Sequence, residues 1–194
     1  MSLQTTQASK NSNNPDFIAV YSNWTKSVWV PAQLEGISAY PADIIVIGFG
    51  LGGETSEILG EVLERELHPN KIANKNLSKE MGDAIYYWAR FVSFFEWDAT
   101  TLFSKADLEP TSITHAALSL SVAAGLVQEP CKKYVRDGSL DSEKLEQGLI
   151  LYAKAWRELS RALGFDYLHL FLENHEKVEG RVARGTQRGS GNNR

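Results

Sequence analysis

"IIVIGFGLGGETSEIL", Ile44 to Leu59, admits two readings that lead to different folds. Taken as a strand, a turn and a helix start, it places Gly48, Gly50 and Gly53 in the G-x-G-x-x-G pattern that admits a dinucleotide pyrophosphate. Taken as one helix, it is an apolar segment whose glycines let neighbouring helices pack closely. Three features argue for the helix. Glu54 would put a carboxylate where the first amides of the helix should attract the phosphate. The ribose-binding acid expected about twenty residues on, at the end of a second strand, is missing, because that region reads "HPNKIANKNLSKEMGD". No further βαβ units follow to build a sheet.

Outward from this stretch the apolar spacing stays helical between six sparse prolines, Pro15, Pro31, Pro41, Pro69, Pro110 and Pro130. It predicts helices over 16–29, 44–67, 77–95, 98–107, 111–135, 141–163 and 165–182. Ser78, Asp98 and Asp141 are candidate N-caps. Strand alternation is confined to "IIVI", so the expected fold is all-α. The domain plan is a disordered lead over 1–15, one helical domain over 16–182 and a basic flexible tail over 183–194.

A net charge of −4 argues against a general nucleic-acid binder. No apolar run approaches the roughly 20 residues that span a bilayer, and the polar start lacks the order of a secretory signal. The single cysteine, Cys131, excludes an internal disulfide, reads as a small core residue and fits a reducing, cytoplasmic setting.

Five glutamates fall between Glu54 and Glu66, and Glu54, Glu57, Glu61 and Glu64 share one arc of the helix, which by itself suits a solvated face. The next helix is more specific. Glu80 and Asp83 share their arc with Ala84, Tyr87 and Phe91, and carboxylates inside an aromatic stripe are costly without a compensating cation. The preceding helix offers only more acid. Hard oxygen donors on facing helices suit Mg²⁺ or Mn²⁺. A di-iron site would use Glu-x-x-His pairs, whereas the third position here is Asp83. His68, His115, His169 and His175 form no such pairs and read as surface or packing residues.

The two halves resemble each other. Lys79–Phe103 lies over Leu145–Phe171, placing Glu80 on Glu146, Gly82 on Gly148 and Tyr86 on Tyr152. Two αα-hairpins stacked that way make a four-helix core.

"GLGGETSEILGE" followed by "LSKEMGDAIYYW" resembles the MazG-like nucleoside triphosphate pyrophosphohydrolases. The signature of that all-α group, Glu-x-x-Glu on one helix and Glu-x-x-Asp on the next, matches at Glu54, Glu57, Glu80 and Asp83. The closing "NHEKVEGRVARG" is similar to the family's Asn-x-x-Lys-x-x-x-Arg element at Asn174, Lys177 and Arg181. The second half departs from the pattern. Ala123, Leu126 and Leu149 stand where acids should be, and Glu146 alone survives, while the first half lacks the Asn-Lys-Arg set. The resemblance thus implies a pseudo-dimer with one composite site, metal-binding in 16–110 and degenerate in 111–182.

It also implies hydrolysis of a nucleoside triphosphate, a deoxynucleotide among the candidates, to the monophosphate and pyrophosphate. The four acids would hold Mg²⁺ or Mn²⁺, Glu57 would orient or deprotonate the attacking water, and Asn174, Lys177, Arg181 and Arg184 would contact phosphates. The aromatic cluster Tyr21, Trp24 and Trp29 reads as core packing, with base stacking as the alternative. The rival function is a catalytically silent nucleotide-binding or scaffold protein of the same fold. Homo-oligomerisation is left open.

Overall fold

The computed structural model describes residues 15–68 and 74–187. The lead, apart from Pro15, and the tail from residue 188 lie outside the described residues. Seven helices fill the described part, in the order α1 (Pro15–Val28), α2 (Ala39–Leu67), α3 (Asn74–Phe94), α4 (Ala99–Ser104), α5 (Ile113–Asp137), α6 (Ser142–Leu163) and α7 (Tyr167–Arg184). No strand occurs among the described residues, and a lone bridge between Leu34 and Ile37 is the only β-type pairing there. The fold is all-α.

The opening stretch lies inside α2. Ile44, Ile47 and Leu51 are fully buried at helical spacing, while Phe49 between them faces solvent. That is the 3.6-residue period of a one-faced helix, not the alternation of a strand. Gly50 allows a close approach: a Cβ there would sit 2.3 Å from the Tyr87 ring of α3. Gly50 thus serves helix packing, whereas a Cβ at Gly53 would meet nothing within 4 Å.

Three boundary expectations need correction. Helix α2 starts at Ala39 rather than 44, because Pro41 falls in its first turn, where no backbone N–H is needed. Ser78 is not a cap, since α3 already begins at Asn74. Helix α7 runs to Arg184 and ends on Gly185, and Gln187 then donates to the Val28 carbonyl at 3.0 Å, so the tail stays docked at least that far. Asp98 and Asp141 do cap α4 and α6 by accepting backbone N–H groups.

Helices α2 and α3 pack on one another, as do α5 and α6; α2 also packs on α5, and α3 on α6. Helices α1 and α7 both lie against α3. Two fully buried tryptophans tie α3 to α6 in opposite directions. Trp88 Nε1 donates to the Leu149 carbonyl at 2.9 Å, and Trp156 Nε1 to the Met81 carbonyl at 3.0 Å. Each indole buries a large apolar area and still satisfies its one donor, which an apolar core requires. Met81 and its neighbours Glu80 and Gly82 are therefore held from behind by the second half of the chain.

Candidate functional site

Helix α2 carries Glu54 and Glu57 one turn apart, and α3 carries Glu80 and Asp83 in the same relation. The packing of α2 on α3 turns both pairs toward a common space. One carboxylate oxygen from each of Glu54, Glu57 and Glu80 lies within 4.8 Å of the other two. Glu80 is buried, Glu54 half-buried and Glu57 exposed, so the cluster runs from the core to solvent.

The three glutamates lack enough positive charge. Burial, and then the carboxylates of Asp83, Glu57 and Glu80, push Glu54 up to about 8, against a small opposing effect of Lys177. Burial, followed by Glu57 and Asp83, pushes Glu80 up to about 7. At neutral pH such a cluster must retain protons or gain a cation. Oxygen donors alone, without sulfur or imidazole, suit a hard divalent ion such as Mg²⁺ or Mn²⁺.

Asp83 flanks this group and is turned toward α7. Its Oδ1 accepts from Asn174 Nδ2 at 2.7 Å, and its Oδ2 forms an ion pair with Lys177 Nζ. Of the four acids expected to hold a metal, three therefore cluster and the fourth stands beside them with partners on α7. Three glutamates form the cluster, while Asp83 influences it through space and is already neutralised by a lysine. The sequence pattern around α2 offered no basic partner, and α7 supplies one. Gly82 makes this possible: a Cβ there would lie 3.1 Å from Asn174 Cβ and 3.4 Å from the Leu170 carbonyl oxygen. With a hydrogen in that place, α7 backs directly onto α3 beside Asp83.

Arg181 and Arg184 follow Lys177 at i+4 and i+7 on α7, on the same face. Arg181 is half-buried, and its Nε is enclosed without an acceptor. The Arg184 guanidinium lies back over Gly180 on its own helix. Asn174 is almost entirely buried, and both ends of its amide are engaged, Nδ2 by Asp83 and Oδ1 by the Tyr21 hydroxyl at 2.7 Å.

The second hairpin has no counterpart to the cluster. Leu149 and Ala123 are buried in the core, and Glu146 pairs with Lys105 at 3.3 Å. Tyr152, which aligns with Tyr86, is fully buried and shares a 2.8 Å hydrogen bond with Thr55, next to Glu54. Sequence reasoning missed this contact, whose only signal is a threonine on the apolar face of α2, among Leu51, Ile58 and Val62. Of the aromatic cluster, Tyr21 is core. Trp24 donates to Glu179 at 2.6 Å and packs against the His175 ring. The Arg90 guanidinium lies 5.1 Å from the Trp29 ring. His68, His115 and His169 are exposed, and Cys131 is buried, with its thiol pushed up to about 12 by burial.

No helix among the described residues is long and apolar enough to cross a membrane. Compared with protein-family models, with curated proteins and with solved structures, the chain matches none of them.

Proposed function

We propose that the chain is a metal-dependent nucleoside triphosphate pyrophosphohydrolase with one composite site, in which the first hairpin holds the metal and α7 holds the phosphates. The observation that carries this reading is the carboxylate cluster of Glu54, Glu57 and Glu80, starved of positive charge, beside a cationic face of α7. Glu54, Glu57, Glu80 and Asp83 would hold the Mg²⁺ or Mn²⁺. A bound ion of this kind neutralises developing charge on phosphate oxygens and lowers the pKa of water.

The chain's own groups have distinct tasks. Glu57, the most exposed of the cluster, would accept a proton from an attacking water, a role its access to solvent supports. Lys177, Arg181 and Arg184 present successive cations to a polyphosphate, with arginine capable of a two-point grip. The indole bonds between α3 and α6 hold the backbone of α3 beside Glu80.

One observation favours a second reading, a nucleotide-binding protein without turnover: Asp83 is neutralised internally by Lys177. A panel of ribo- and deoxynucleoside triphosphates incubated with Mg²⁺ separates the two. Release of pyrophosphate and monophosphate supports the hydrolase. Binding without product supports the silent protein, and orthophosphate release or no interaction with any nucleotide removes the proposal.

A further inference from the structure

We propose that Tyr21 is a positioning residue for Asp83, acting through Asn174. The inference rests on the reading of Asp83 as part of a metal centre, and it assigns Asn174 to orientation rather than to phosphate contact. A carboxylate only accepts hydrogen bonds, so the amide of Asn174 must present its NH₂ to Asp83. The amide oxygen then points the other way, into a site where Asn174 is only 3% exposed and water cannot serve it. The Tyr21 hydroxyl, on a side chain with no exposed surface, donates to that oxygen at 2.7 Å. Flipping the amide would set oxygen against carboxylate and NH₂ against the phenol, which could then only accept. Asp83 therefore selects the amide orientation, and the Tyr21 hydroxyl, by donating to the amide oxygen behind it, holds the amide in place against Asp83 Oδ1.

The chain of contacts joins three helices. Tyr21 is held on α1 by the Phe171 ring, edge-on at 4.7 Å, and by Trp24 at 5.2 Å. Asn174 is held on α7 by the close approach over Gly82. Asp83 is on α3. With Oδ1 engaged by Asn174 and Oδ2 by Lys177, the carboxylate plane is set, and with it the electrostatic influence of Asp83 on Glu54 and Glu80. Groups that hold a metal-binding carboxylate from behind commonly matter almost as much as the carboxylate itself.

The test uses the full chain, with Mn²⁺ affinity measured by calorimetry and folding checked by thermal melting. Tyr21→Phe removes one oxygen atom and should weaken Mn²⁺ binding about tenfold. Asn174→Ala should weaken it at least as much. Because Tyr21 acts only through Asn174, adding Tyr21→Phe to Asn174→Ala should change nothing further. Thr25→Val is the control, deleting a buried hydroxyl on the same helix that bonds to Ser22 and Ser93 and has no link to Asp83. It should leave Mn²⁺ affinity unchanged. Wild-type affinity in Tyr21→Phe, equal weakening in Thr25→Val, or an additive double variant would overturn the positioning role while leaving the metal centre standing. Failure of the wild-type protein to bind Mn²⁺ would overturn the metal centre and this inference with it.

Discussion

Lys177→Ala removes the cation from the one ion pair that joins α7 to the acidic centre. The pair is mostly desolvated, with side chains 18% and 15% exposed. Breaking a buried pair from one side typically costs about 3–5 kcal/mol, because the orphaned charge stays behind. Asp83 keeps its bond from Asn174 and some access to water, so about 2–3 kcal/mol is expected for the metal-free protein. For a chain of this size that is a fall in Tm of roughly 5–10 °C. Mg²⁺ should recover a larger share of stability in the variant than in the wild type, since a divalent ion supplies the missing charge, and metal affinity should not fall. Asp83→Asn combined with Lys177→Ala should be more stable than Lys177→Ala alone, because no unpaired charge remains. Turnover is a separate readout: loss of one charged phosphate contact should lower kcat/KM by about ten- to a hundredfold. Melting by circular dichroism, with chelator and with Mg²⁺, checks the first part, and pyrophosphate release the second. A Lys177→Ala protein that melts with the wild type, or a double variant destabilised by the sum of the single ones, would refute the electrostatic reasoning.

Stability of the metal-free protein should fall by a few kcal/mol as pH rises from about 5 to 8, because Glu54 and Glu80 titrate near 8 and 7 when folded and near 4.5 when unfolded. Saturating Mg²⁺ should flatten that dependence, and a melting temperature that rises across this window without metal would contradict it. Asp83→Asn should cut kcat while preserving the helical spectrum, and chelation should abolish hydrolysis; full activity in either case would exclude the metal mechanism. Gly50→Ala should destabilise by about 1–3 kcal/mol, since its methyl would meet the Tyr87 ring at 2.3 Å, and denaturant unfolding measures this directly. A fragment ending at Pro110 should keep the four acids but neither fold nor hydrolyse nucleotides, having lost Lys177 and the Trp156 anchor; a folded, active fragment would remove the composite site.

The helices were legible because their signals are local. The strand reading of α2 fell on chemistry, on Glu54 and the missing second strand, and the structure adds the period: Ile44, Ile47 and Leu51 repeat every three or four residues around an exposed Phe49. Asp98 and Asp141 were readable as caps because a cap bonds amides two or three residues away. Pro41 misled because a proline in the first turn of a helix looks, in one dimension, like a proline that ends one. Ser78 misled for the converse reason: a good cap residue is also tolerated inside a helix when other contacts start that helix earlier.

The site divides along the same line. Pairing within Glu54–Glu57 and within Glu80–Asp83 follows from one turn of helix, so the acidic centre could be drawn from spacing alone. What holds and neutralises Asp83 could not, because Lys177 is 94 residues from Asp83 and the Tyr21 hydroxyl reaches Asn174 across 153. Those contacts depend on how α1 and α7 seat on α3, which is decided by the absent side chain of Gly82 and by the fit of Phe171 against Tyr21. A glycine inside a helix is ambiguous in a sequence, since it destabilises the helix locally whether or not another backbone rests on it. At Gly82 it permits the approach that delivers a lysine and an amide to the same carboxylate. The chemistry of the acids is thus written in one hairpin, and its control in the packing of two helices from the opposite ends of the chain.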